Sequence, residues 1–210
     1  MPEFYIFGSL SRGEPDPGSD VDVLVISNQK KTKNEIPPNW SLYSPRRIRA
    51  LFARGTLFAW HLSQEAVQLW PRGRAGYLQK IGPPKPYENA KREITDLQRI
   101  LVGAATELTR GTPSEIYEFG LVALACRDIA MAAAPSLTGT FDFSRHAPLH
   151  LPAAKIPLSR TQFDYLLACR RATTRGSQIR RNPRIERQLK VKLPQLYAWS
   201  VHILNRISHE

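Results

Sequence analysis

The hydrophobic pattern opens with a short aromatic run, Phe4-Tyr5-Ile6-Phe7, stopped by Gly8, which predicts a buried strand. The stretch from Ser9 to Ser19 holds Gly13, Pro15, Pro17 and Gly18 and reads as a turn-rich connection. Val21, Val23 and Val25 then alternate with Asp22, Leu24 and Ile26, giving a second strand with one very polar position. Lys30 to Pro38 reads as a charged loop, and Trp40 to Ser44 as a third short strand. Pro45 suits the first turn of a helix that reaches Arg54 and closes at Gly55. A second helix is expected from Thr56, with Leu57, Phe58, Leu62, Ala66 and Leu69 on one side.

Gly82-Pro83-Pro84-Lys85-Pro86 can continue neither a helix nor a central strand, so residues 82–87 read as a linker. Beyond it, Ile94, Leu97, Leu101, Ala104 and Leu108 recur at helical spacing and Gly111 ends the run. Thr112-Pro113-Ser114-Glu115 has the form of a capping box, opening a helix with Ile116, Phe119, Val122, Leu124, Cys126 and Ile129. Another helix is expected near Ser159, carrying Phe163, Leu166 and Leu167, and Asn182-Pro183 and Pro194 read as further starts. The class expected is α+β: a small mixed-sheet domain over 1–81, then an all-α helical bundle over 88–210.

The chemistry concentrates in Phe7-Gly8-Ser9-Leu10-Ser11-Arg12-Gly13 and Gly18-Ser19-Asp20-Val21-Asp22-Val23. Gly8 leaves room for a phosphate at the backbone, Ser9 supplies a hydroxyl donor, and Arg12 can reach the same anion. Asp20 and Asp22, two apart on a strand, share one face, where their charges repel unless a divalent cation lies between them. Magnesium favours such oxygen ligands together with phosphate oxygens and water. This arrangement resembles the minimal nucleotidyltransferases of the DNA polymerase β superfamily, in which Gly-Ser after the first strand precedes Asp-x-Asp on the next. The resemblance covers Phe4 to Ile26. It implies two magnesium ions on Asp20 and Asp22, and a triphosphate, ATP or CTP, held by Gly8, Ser9, Arg12 and Ser19. Transfer of a nucleoside monophosphate to an acceptor hydroxyl would follow.

The chain departs from that pattern in three ways. It begins almost at the first strand, Leu10 stands where relatives carry a polar residue, and the third strand, Asn39 to Ser44, holds no acid. Ser41 or Tyr43 would occupy the position of the third carboxylate, and neither is a good magnesium ligand or base near neutral pH. His61 and Glu65, one helical turn apart, are the candidate substitutes, followed by Glu14 and Asp16. The missing acid supports an alternative: a catalytically impaired nucleotide- or nucleic-acid-binding module serving as a regulatory, antitoxin or defence-system subunit.

Charge refines the choice of acceptor. The net charge is +12 over 210 residues. Ten basic residues lie between Arg160 and Lys192 (Arg160, Arg170, Arg171, Arg175, Arg180, Arg181, Arg184, Arg187, Lys190 and Lys192), opposed there by Asp164 and Glu186. Such a cluster favours a polyanion such as a tRNA-like RNA, with a protein hydroxyl as the other acceptor class. Arg145 and His150 match the spacing of an HEPN ribonuclease motif, although Pro148 argues for a loop there. Met1-Pro2-Glu3 lacks the features of a secretion signal, no run of about 18 apolar residues predicts a membrane span, and Cys126 and Cys169 sit in apolar contexts. A cytoplasmic protein with reduced core cysteines is expected.

Overall fold

The computed structural model describes residues 1–14, 21–29, 32–71, 73–152 and 154–208. In it the first aromatic run forms β1 (Glu3–Phe7), and the Val-rich run forms β2 (Asp22–Ile26), antiparallel to β1. Phe7 stands opposite Asp22, Tyr5 opposite Leu24 and Glu3 opposite Ile26. Cross-strand partners project to the same side of a sheet, so Asp22 shares a face with Phe7 and Leu24. The charged loop contains one helical turn, α1 (Thr32–Glu35), whose first residue is buried with its hydroxyl 3.0 Å from that of Ser27. The third strand, β3 (Ser41–Tyr43), runs parallel to β2.

Two helices cover the face that bears Asp22. In α2 (Pro45–Ala53), the Ser44 hydroxyl accepts from the Arg47 N–H at 3.2 Å, and proline occupies the first turn. In α3 (Leu57–Glu65), Thr56 caps the Ala59 N–H in the same way. Ile48, Leu51, Phe52, Ala59 and Leu62 from these helices pack on Tyr5, Phe7, Leu24 and Ile26, making the core of this unit.

The helix expected from Thr56 stops at Glu65, and Val67 to Trp70 form β4 (Val67–Trp70), antiparallel to β1. Ala66 and Leu69 continue the helical spacing, but the open edge of β1 offers backbone hydrogen bonds that a local pattern does not reveal. The sheet order is β3-β2-β1-β4. One more turn, α4 (Tyr77–Lys80), is pinned to the sheet by the Glu3 carboxylate, which accepts from the Tyr77 N–H at 2.7 Å.

The proline-rich segment packs on this unit. The Lys85 N–H donates to the Phe52 carbonyl at 2.9 Å and the Trp60 indole donates to the Lys85 carbonyl at 3.0 Å. Gly55 makes the fit possible: a Cβ there would lie 2.1 Å from the Pro86 carbonyl oxygen. The first compact unit accordingly runs from Met1 to Glu88, and the second from Asn89 to Glu210.

The second unit comprises α5 (Ala90–Arg110), α6 (Glu115–Thr138), the short α7 (Ala147–His150), α8 (Arg160–Arg175) and α9 (Pro183–Ser208). Helix α6 packs against all the others, and Phe119, Val122, Ile129 and a run of alanines on it are fully buried. By length and composition α6 could cross a membrane, yet its apolar surface is met by α5, α8 and α9. Cys126 and Cys169 are buried free thiols. Burial pushes the Cys169 thiol up to about 12.

Two helix boundaries differ from expectation. Helix α6 starts at Glu115, two residues after Pro113; the Thr112 hydroxyl caps the Ser114 N–H in the turn before it. Pro194 begins no new helix but lies inside α9. Leu189, Leu193, Leu196 and Trp199 are buried on both sides of it, and this packing outweighs a local penalty of about 3 kcal/mol for an internal proline. The start at Ser159 is as expected, with a reciprocal capping box between Ser159 and Gln162.

Candidate functional site

The turn after β1 is built on Gly8. Its φ of 77° lies in the left-handed region, and its carbonyl accepts from the Ser11 hydroxyl at 2.8 Å and the Arg12 N–H at 3.2 Å. The Glu14 N–H closes the turn on the Ser9 carbonyl at 2.8 Å. A Cβ on Gly8 would lie 2.3 Å from Oδ2 of Asp22. The bare α-carbon therefore lets the exposed Asp22 carboxylate rest against the backbone of the turn, at the end of β2. Gly8 and Asp22 are brought together in this corner, and Ser9 follows Gly8 in the same turn. Ser19 and Asp20 lie outside the described residues, as does Asp16.

The Arg12 side chain meets a second acid. Its Nη1 donates to Oε2 of Glu65 at 2.6 Å and its Nε to Oε2 of Glu14 at 3.2 Å. The same Glu65 oxygen lies 2.8 Å from Nε2 of His61. Burial pushes the Glu65 carboxyl up, but the bonds from His61 and Arg12 outweigh it and hold it below the usual carboxylate range. Burial likewise opposes the charge of Arg12, and Glu65 more than compensates, raising its pKa. The His61 ring packs edge-on against Phe7 with centroids 5.4 Å apart, and Phe7 is the cross-strand partner of Asp22. An ionised, paired Glu65 is a poor proton acceptor.

The register of β3 sets both candidate hydroxyls of that strand away from Asp22. Ser41 is level with Leu24 and Tyr43 with Ile26, so both lie further along the sheet than Asp22. Tyr43 is also spoken for by the core, its ring 5.7 Å from Phe58. The strand itself begins at Ser41, so no residue of β3 stands level with Asp22. Among the described residues no group of three or more His, Cys, Asp or Glu could hold a metal ion. The Asp22 carboxylate, a hard oxygen donor at a strand end with the Gly8 cradle beside it, fits an oxygen-seeking divalent cation.

The basic region is partly neutralised by its own unit. Arg181 donates to the buried Glu186 at 2.7 Å and to Glu115, and Lys190 also bonds Glu115, an acid of α6 that local counting misses. Lys192 donates to the Pro157 carbonyl at 2.6 Å, and Arg160 to Asp164 at 3.2 Å. Arg180, Arg184 and Arg187 remain exposed. The Arg145-to-His150 motif ends on the single turn α7, where His150 Nδ1 lies 2.8 Å from Asp142, not on a continuous helix.

A small mixed sheet, with helices packed on the face that bears Asp22, thus sets a carboxylate at a strand end against a glycine turn. Residues 2–72 match the nucleotidyltransferase domain family, consistent with a minimal nucleotidyltransferase of the DNA polymerase β superfamily. Domains of that family transfer nucleoside monophosphates and generally use a triphosphate with a divalent metal. No curated protein matches the chain.

Proposed function

We propose that the protein is a magnesium-dependent nucleotidyltransferase that moves a nucleoside monophosphate from ATP or CTP to an acceptor hydroxyl on RNA or on a protein. The observation that carries this reading is the Asp22 carboxylate seated against Gly8 inside the matched domain. Asp22 and Asp20 would hold two magnesium ions. Bound there, the metal supplies positive charge against the phosphates and the entering and leaving oxygens. Gly8 admits the triphosphate to the backbone, the Ser9 hydroxyl donates to a phosphate oxygen, and Arg12 opposes the charge of the tail; Ser19 belongs to the same set. The exposed Arg180, Arg184 and Arg187 favour RNA over a cationic small molecule as the acceptor.

Incubation with labelled ATP, CTP, GTP and UTP, magnesium and total RNA tests the proposal. Label is expected on RNA or on protein, with pyrophosphate released, and Asp22→Ala is expected to abolish both. The register of β3, with no acid level with Asp22, favours a second reading: a nucleotide- or nucleic-acid-binding module with regulatory, antitoxin or defence duties. Triphosphate binding without pyrophosphate release from any acceptor would establish that reading instead.

A further inference from the structure

We infer that Glu65 is a positioning residue for the triphosphate site, acting through Arg12; the role rests on the nucleotidyltransferase reading above. Carboxylates are seldom buried unless paired, and the Glu65 side chain is only 9% exposed. One of its oxygens accepts from both Arg12 and His61, so the acid is fixed on α3 from two directions. Arg12, 53 residues away in sequence, is thereby held at both ends. Its backbone N–H is tied to the Gly8 carbonyl, and its guanidinium to Glu65. Glu14 takes Nε on the solvent side, where the bond is weakly protected, at 52% exposure of the acid. Two of the three guanidinium nitrogens are thus oriented by carboxylates, and among the described residues Nη2 meets no acceptor, which leaves its two N–H groups to donate to an anion.

An arginine set in place beforehand loses less freedom when it meets a phosphate. Without Glu65 the side chain would sample many rotamers, few of them like the one in which the acid holds it. If the competent fraction fell to about one tenth, the apparent affinity for the triphosphate would fall about tenfold.

The test is a titration of the full chain with magnesium-ATP, magnesium-CTP and magnesium tripolyphosphate, for the wild type and for Arg12→Ala, Glu65→Ala, Glu65→Gln and the Arg12→Ala/Glu65→Ala double variant. Glu65→Ala is expected to weaken binding about tenfold, with no further effect in the Arg12→Ala background. Glu65→Gln keeps an acceptor for Arg12 and is expected to bind as well as the wild type. If Glu65→Ala does not fold, Glu65→Met, which preserves the stem against α3, takes its place. Tighter binding by Glu65→Ala would mean that the acid withholds Arg12 from the ligand, and would overturn the role. So would unchanged affinity in Glu65→Ala beside weakened affinity in Arg12→Ala, a result that leaves the nucleotidyltransferase reading standing. No binding by the wild type would overturn both.

Discussion

Gly8→Ala probes the corner on which the site is built, and Gly13→Ala is its natural control. Both glycines have left-handed φ values, 77° and 71°, so an alanine at either costs about 1–2 kcal/mol in backbone strain. Their surroundings differ. Among the described residues a Cβ at Gly13 meets nothing within 4 Å, whereas one at Gly8 lies 2.3 Å from Asp22 Oδ2. Ordinary contact begins near 3.4 Å, so the carboxylate or the turn must move by about 1 Å. A displacement of that size near reacting groups can lower turnover by about 100-fold. Urea unfolding should therefore show Gly13→Ala destabilised by strain alone, and Gly8→Ala by more. In single-turnover pyrophosphate release with magnesium and triphosphate, Gly8→Ala should lose about two orders of magnitude while Gly13→Ala stays near the wild type. If the two variants unfold and turn over alike, the packing of Asp22 on Gly8 does not shape the site.

Three further outcomes follow from the second unit. Glu186, with its side chain 6% exposed, accepts from Arg181 and Tyr165. Glu186→Gln is expected to cost about 1–3 kcal/mol at neutral pH, towards the low end because Arg181 is half exposed. The Arg181 bond, against the effect of burial, holds the Glu186 carboxyl below its ordinary 4.5. Its contribution is complete above that value and lost as pH falls through the depressed one, so the wild-type advantage should shrink in acid. An advantage unchanged between pH 7 and pH 3 in denaturation curves would contradict this. Charge reversal at Arg180, Arg184 and Arg187 should weaken RNA binding and flatten its dependence on salt, by about 0.7–0.9 in log–log slope for each phosphate no longer neutralised; an unchanged slope would remove the case for RNA. Arg181 is unsuitable for that experiment because it braces Glu115 and Glu186. Pro194→Ala should raise the unfolding temperature, gaining on the order of 1–3 kcal/mol from the restored helical hydrogen bond; a fall would mean that the ring itself packs.

The sequence by itself determined whatever a few neighbouring residues decide. The aromatic run before Gly8 and the alternating valines specify β1 and β2, while Thr56 and Ser159 cap the backbone groups just after them. The spacing from Gly8-Ser9 to Asp22 carried the resemblance because strand, turn and strand are consecutive in the chain. Only the tertiary structure decided what depends on distant partners. Val67 to Trp70 become a strand because β1 has an edge to fill, and α9 passes through Pro194 because leucines on either side are buried. Glu65 stood in the sequence only as a candidate substitute acid until the fold set Arg12 against it, and Glu115 only as part of a capping box until the fold brought Arg181 and Lys190 to it. Local rules govern one turn or one pleat at a time. Burial and charge pairing act between residues that the chain brings together only when it is packed.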